Sequence, residues 1–434
     1  MSALRRKRAS VTRNILSALA SFVFAHAQVY AAEPCGFANT AIRETEIEDF
    51  FLCGADLPET ARIQFDGDGV TLEHLRSLEK CAPGDDRPGF HIALKAGQGN
   101  GQVGVRFMDP STGSSICRST ITLLPERDIP EAAWRNAMPP DAAKVIDVHG
   151  IATRYFDFGE GPPLLLVHGG QAGGSNNSSE KWEQNVQGLA EHFRVIALDR
   201  LAQAGTANLP LAEDYADYFA RDAEHLEAFV VALELSGLAL VGHSQGGWPV
   251  TALALNRPEL VECLVNVDTV MVPDDLTLMR QALSFLMYES IFVHPPEGPT
   301  FYSARRSIAL RSPSGNNITP EKAQRVVDQF NSPKTRIARD HMAAARMTPL
   351  HPSFQALKQE AYDRIAAGGL SARSLVIWGG KDPQVPLGLG EQFNEMLAQA
   401  GVSTALEVIP DAGHAPFIEF PDVFDNLVIN YCRK

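Results

Sequence analysis

The chain has 434 residues, of which 45% are hydrophobic and 21% charged, so it can bury a sizeable core and is too long for one ordinary domain. Its formal net charge is −14, from 38 basic against 52 acidic residues. A chain this acidic repels nucleic acid and anionic membrane surfaces, which excludes both as expected partners.

Taken from the N-terminus, the first expected element is one that the mature protein loses. Arg5, Arg6, Lys7, Arg8 and Arg13 form a basic start, Ile15 to Ala25 is an apolar run, and Ala25-His26-Ala27 has the small-x-small pattern of a cleavage site. This reads as a signal peptide over residues 1–27, because so short an apolar run does not span a bilayer. A second cleavage pattern stands at Val29-Tyr30-Ala31. Removing the five basic residues leaves 33 against 52 and a net charge of −19, in a periplasmic or secreted protein. No later apolar run is long enough to cross a membrane.

Residues 33–130 are rich in turn formers. Gly104-Val105-Arg106-Phe107 and Ser119 to Leu123 alternate as strands do, whereas Leu72 to Lys80 is read as a short helix. Cys35, Cys53, Cys81 and Cys117 fall here, an even number that reads in an exported chain as two disulfides of unassigned pairing. No C-x-x-C pair supports a metal, so none is expected. Cys263 and Cys432 are read either as buried thiols or as a third bridge. The segment is a small β-rich, disulfide-stapled domain, followed by a linker at 130–140.

From about 145 apolar runs alternate with amphipathic stretches. Leu164 to Val167, Arg194 to Leu198, Leu238 to Val241, Val261 to Val267 and Ser374 to Trp378 read as strands buried on both faces. Helical patterns between them predict an α/β fold, a mostly parallel sheet with helices on both faces, over 145–434. Residues 273–368 hold only helical patterns (Leu276 to Tyr288, Pro320 to Phe330, Thr335 to Met347, Ser353 to Ala366). They read as a helical cap over the C-terminal strand edge, where such sheets bind ligands.

Chemistry concentrates at that edge. Ser244 sits in Gly242-His243-Ser244-Gln245-Gly246, between a strand and a helix, the setting of a nucleophile elbow. A serine hydroxyl needs a base. Asp382 follows the strand ending at Trp378, and His414 follows the strand Ala405 to Ile409, in the chain order Ser, acid, His. The reading is Ser244 as nucleophile, His414 as base and Asp382 as the acid that orients it, with Asp268 as a rival acid. The oxyanion hole is assigned to the backbone N–H groups of Gln245 and of Gly170, in His168-Gly169-Gly170-Gln171, with Gln171 as the rival. His243 is read as facing the scaffold and His168 as supporting its loop. Arg305, Arg306, Arg339 and His341 could meet an anionic group, but surface solvation is their commoner role.

Over roughly 145–434 the chain resembles the α/β-hydrolase superfamily. The resemblance rests on His168-Gly169-Gly170, on the Gly-x-Ser-x-Gly, on Gly379 to Pro386, and on Gly413-His414-x-Pro416-x-x-Glu419-x-Pro421. It implies an α/β-hydrolase fold and a triad that needs no cofactor and no metal. The glycine- and serine-rich loop Ala172 to Ser175 looks somewhat like that of meta-cleavage-product hydrolases, which cleave carbon–carbon bonds of dienoate ketones. Members of that group often carry Trp after the histidine, where this chain has Ala415, and the segment Asp199 to Thr206 departs from their pattern. The expectation is therefore an exported serine hydrolase acting on a small or medium apolar ester through an acyl-enzyme. A carbon–carbon hydrolase is the alternative, and a non-catalytic binding protein the second.

Overall fold

The computed structural model describes residues 28–30, 40–43, 47–53, 62–67, 69–78, 89–96, 101–124, 138–293, 298–315 and 319–433. The expected signal peptide lies outside them, as do the side chains of Cys35, Cys53, Cys81 and Cys117, and with them the expected disulfides of that region. The chain divides into two units, residues 1–128 with 280–307, and residues 129–279 with 308–434. The helical stretch 273–368 is thereby shared between the two.

The first unit carries strands β1 (Gln28–Tyr30), β2 (Thr40–Arg43), β3 (Ile47–Cys53), β4 (Arg62–Asp66), β5 (Val70–Leu78), β6 (Gly89–Ala96), β7 (Gly101–Met108) and β8 (Ser115–Leu124). They form two four-stranded sheets, ordered β1-β3-β6-β5 and β2-β8-β7-β4. Phe90, Ile92 and Leu94 of the first sheet meet Val103, Val105, Phe107 and Ile121 of the second in one buried cluster. The expected strands are present, but the helix expected at Leu72 to Lys80 is a correction: it is β5. Leu72 and Leu75 have a helix-like spacing because a register shift between Leu72 and His74 resets the strand's alternation and pairs Leu72 with Leu94 and Leu75 with Ile92.

The second unit is built on an eight-stranded sheet. Its strands are β9 (Lys144–Val148), β10 (Ile151–Phe158), β11 (Pro163–Val167), β12 (Arg194–Leu198), β13 (Leu238–His243), β14 (Val261–Val267), β15 (Arg373–Gly379) and β16 (Thr404–Ile409). The order β16-β15-β14-β13-β11-β12-β10-β9 is parallel from β16 to β12, with β10 and β9 antiparallel at one edge. All six residues of β13 are buried, as its unbroken apolar run requires of a central strand covered on both faces. A disulfide joins Cys263 of β14 to Cys432 at the end of the C-terminal helix Pro421–Cys432, so the bridge reading holds for this pair.

Of the cap, helices Pro320–Asn331, Pro333–Ala344 and Pro352–Ala366 lie in this unit. The first two start on the same signal, a hydroxyl followed by proline. Thr319 and Ser332 accept from the N–H groups of Lys322 and Thr335, and proline fills the first helical position, where no donor is needed. Gln329 ties the first of them to the strand-edge loop by donating to Asn177 O at 2.9 Å. A helix at Phe301–Arg311 was not expected from the sequence.

Candidate active site

Four side chains converge at the C-terminal edge of the central strands. Ser244 follows β13 directly and adopts φ 53°, a left-handed conformation that costs a non-glycine residue of order 1 kcal/mol or more. Sheet geometry imposes it: the chain must turn at once from β13 into the helix Gly247–Asn256. Val270 N–H donates to Ser244 O at 3.1 Å and fixes the turn. The result aims Ser244 Oγ at His414 Nε2, 3.1 Å away.

His414 lies beyond β16. Its Nδ1–H donates to Asp382 Oδ2 at 2.7 Å, so the carboxylate selects the tautomer that leaves Nε2 free to accept the serine proton. Asp382, just beyond β15, is itself fixed: its Oδ1 accepts the N–H groups of Gln384 (2.7 Å) and Val385 (3.0 Å). All three residues are buried, which strengthens these contacts by excluding water. The predicted trio is thus brought together in the predicted order. Asp268, the rival acid, lies beyond the neighbouring strand, but His414 bonds Asp382 and not Asp268.

The His414 loop has its own anchor. Glu419 Oε1 accepts Gly413 N–H at 2.8 Å, while Oε2 accepts Ser314 Oγ–H at 2.6 Å. Burial pushes the Glu419 carboxyl up to about 7 despite these donors. His243 is buried and donates from Nε2 to His414 O at 2.7 Å, a scaffold role as expected; burial first, then the neighbouring His414, holds it neutral.

The glycine loop after β11 closes the other side. A side chain at Gly169 would lie 2.7 Å from Ser244 Cβ, so only a glycine lets this backbone pass so close to the serine. Gly170 has φ 80°, and a Cβ there would run into the Asn177 amide. What holds the loop comes from elsewhere in the chain. Arg200, buried, donates from Nη1 to Gly170 O (2.6 Å) and His168 O (3.2 Å), and its own N–H donates to His168 Nε2 (3.1 Å). Its Nη2 pairs with buried Asp222. Burial and the Arg200 charge bring His168 down to about 3, so its ring is neutral and accepts as this geometry requires.

A family model described as alpha/beta hydrolase fold matches residues 162–421. The chain belongs to the α/β-hydrolase family. A 2-hydroxy-6-oxo-6-(2'-aminophenyl)hexa-2,4-dienoic acid hydrolase of Metapseudomonas resinovorans is 25% identical over 299 residues, 67% of this chain and 91% of that protein. A 1-acylglycerol-3-phosphate O-acyltransferase of Arabidopsis thaliana is 27% identical over 321 residues, 65% of this chain and 70% of that one. A solved meta-cleavage product hydrolase from Pseudomonas fluorescens IP01 matches with TM-score 0.53 at 24% identity, over 68% of this chain and 99% of its own. The protein is therefore a hydrolase by family.

Sequence reasoning passed over Arg200. In the hydrolase it stands within the segment Asp199 to Thr206, which departs from the related pattern, yet Asp199 there accepts Ser179 N–H and Oγ–H (2.8 Å each), Gly205 N–H (2.8 Å) and Arg154 Nε–H (2.5 Å). An Asp-Arg pair directly after a buried strand was the available signal. Of the basic residues singled out in the cap, Arg339 stacks on Phe330 at 3.8 Å, His341 packs on the Tyr215 ring at 5.1 Å, and Arg305 is buried rather than solvated. Among the described residues, no cluster of His, Cys, Asp and Glu could hold a metal ion. A cavity of about 380 Å³ between Asn176 to Glu183 and the cap helices is lined by Arg154, Lys181, Lys322 and Arg325, and no triad member borders it.

Proposed function

We propose that the protein is a serine hydrolase that cleaves esters of small or medium apolar acids through an acyl-enzyme on Ser244. The observation that carries this is the unbroken chain Ser244 Oγ, His414 Nε2, His414 Nδ1 and Asp382 Oδ2, with steps of 3.1 and 2.7 Å, on a serine held in the left-handed region. His414 takes the serine proton as Oγ attacks the carbonyl carbon, then returns it to the leaving alkoxide. Asp382 keeps the imidazole oriented and offsets the positive charge it gains. The N–H groups of Gln245 and Gly170 receive the oxyanion. Water then repeats the sequence and frees the acid.

A second reading has specific support. The dienoate hydrolase relative spans nearly its whole length on this chain, and the same serine attack on a ketone would break a carbon–carbon bond. Two features favour the ester: the small Ala415 after the histidine, and kinship with an acyltransferase. The leader-like N-terminus and the Cys263–Cys432 bridge support a place in an oxidising, exported compartment. A panel of p-nitrophenyl esters of graded chain length, run beside a ring-cleavage dienoate, tests the assignment. Ester turnover that Ser244→Ala abolishes supports it, and a clear preference for the dienoate replaces it with the second reading.

A further inference from the structure

Behind His414 lies an arrangement that the triad does not use. Asp268 caps β14 and Asp382 follows β15, adjacent parallel strands that bring the two residues to the same sheet edge. Asp268 is fully buried and the Asp382 side chain equally so. The two carboxyl groups are neighbours there, each in the other's field: Asp268 Oδ1 accepts the N–H of Gly379, whose own C=O accepts Asp382 N–H. Asp268 is held there at a cost, because its backbone has φ 41°, in a region that aspartate tolerates but does not favour.

The donors can be accounted for atom by atom. Asp268 Oδ1 accepts Gly379 N–H at 2.9 Å. Asp382 Oδ1 accepts two backbone N–H groups, and its Oδ2 accepts His414 Nδ1–H. Asp268 Oδ2, buried, has no donor among the described residues. No lysine or arginine of the described residues pairs with either carboxyl. The titratable groups around Asp268 are Asp382, Glu419 and, beyond Asp382, His414, so two of the three are acids. Two neighbouring carboxylates without a cation repel strongly in a dry site, and a single proton shared by the pair removes both the repulsion and the orphaned oxygen.

We propose that Asp268 is a positioning residue of the active site, a carboxylic acid kept neutral that donates its Oδ2–H to Asp382 and so fixes the carboxylate that holds His414. Burial and the neighbouring Asp382 both push the Asp268 carboxyl well above its ordinary range, in the direction this requires. The pair then carries one negative charge, seated on the residue that touches the histidine. Asp268 is thus the rival acid recast: it supports the acid of the triad without replacing it. As a statement about catalysis this rests on the serine-hydrolase reading; as a statement about the proton it does not.

Two substitutions separate the donor from the charge. Asp268→Asn keeps an acceptor for Gly379 N–H and an amide donor for Asp382, so kcat and the rate of fluorophosphonate labelling at Ser244 stay within about threefold of wild type. The acidic limb of its pH profile is unmoved, because one neutral group replaces another. Asp268→Ala removes the donor, and both rates fall about 10- to 100-fold with KM little changed. An Asn variant as impaired as the Ala variant, an acidic limb moved down by about one pH unit in the Asn variant, or an Ala variant with wild-type rates would overturn the proposal. Infrared difference spectra of wild type against Asp268→Asn at pH 7 decide it even if the Ala variant does not fold and no substrate is turned over. A protonated-carboxyl C=O band that the Asn variant lacks supports the neutral acid, and no such band refutes it.

Discussion

The two loops that embrace Ser244 are built on different terms. The elbow, His243 to Gly247, is held mainly by backbone: a buried strand before it, a helix after it, and the bond from Val270 N–H to Ser244 O, with His243 Nε2–H on His414 O as a side-chain tie to the base's loop. The glycine loop, His168 to Asn177, is held by distant side chains. Arg200 bonds two of its carbonyls, Asp222 pairs with Arg200, and Gln329 of the cap bonds Asn177. A nucleophile can thus be presented by backbone geometry, whereas the assigned oxyanion donor opposite depends on a buried ion pair between Arg200, just beyond β12, and Asp222 of the helix Tyr218–Ala232. Errors in the first loop stop the chemistry, and errors in the second misplace its electrostatics.

The largest effect expected is at the shared base. His414→Ala lowers kcat about 10⁴-fold or more while the protein stays folded, as steady-state kinetics beside circular dichroism would show. Next comes the loop's remote support. Arg200→Met is expected to lower kcat about 10²- to 10³-fold, the cost of losing one oxyanion donor. It also destabilises by about 3–5 kcal/mol, because Asp222 is left buried without its partner. The double variant Arg200→Met with Asp222→Leu sharpens the comparison: denaturant midpoints recover while kcat does not. Recovery of both would mean that Arg200 serves the fold and not the loop. Gly170→Ala is expected to cost about 10²-fold in kcat, because φ 80° disfavours any side chain and the new methyl meets Asn177. By contrast Thr269→Val beside the elbow, which loses a 3.4 Å bond to Ser244 O and a 3.1 Å bond from Met271 N–H, leaves kcat within about threefold. A large kcat loss there would break the contrast between an elbow held by backbone and a loop held by side chains.

The third loop, which carries His414, offers a smaller effect readable against pH. Glu419 is pushed up to about 7 in the folded protein, above its ordinary 4.5. An acid shifted this way supports the fold fully below its ordinary value, and that support is lost as pH rises through 7. The melting temperature of the wild type, taken relative to Glu419→Gln, therefore declines between about pH 4.5 and 8, by at most on the order of 3 kcal/mol of stability. A difference that stays flat with pH would show that Glu419 is not titrating in the fold.

The same contrast explains what could be read from the sequence alone. Ser244 and Asp382 were legible because each follows a buried apolar run, and His414, which follows the half-exposed edge strand β16, because it sits in a short pattern whose chemistry is local. The sheet was legible for the same reason. Arg200 was not, because its role depends on carbonyls 30 and 32 residues away and on Asp222 22 residues on. Strand β5 was misread because a bulge gives it helical spacing. The Cys263–Cys432 bridge joins residues 169 apart, and no spacing rule chooses that pair. Asp268 reads only as a competitor of Asp382, since a sequence shows two acids at strand ends but not that the two strands lie side by side.

On the proposed function, Ser244 forms a covalent acyl-enzyme. Intact-mass and peptide mapping of the protein after reaction with a fluorophosphonate, and after rapid acid quench during turnover of a p-nitrophenyl ester, tests it most directly. One adduct per chain is expected in both cases, on the peptide containing Ser244, and none in Ser244→Ala. A folded wild-type protein that shows no adduct, or one that labels equally well as Ser244→Ala, would contradict it.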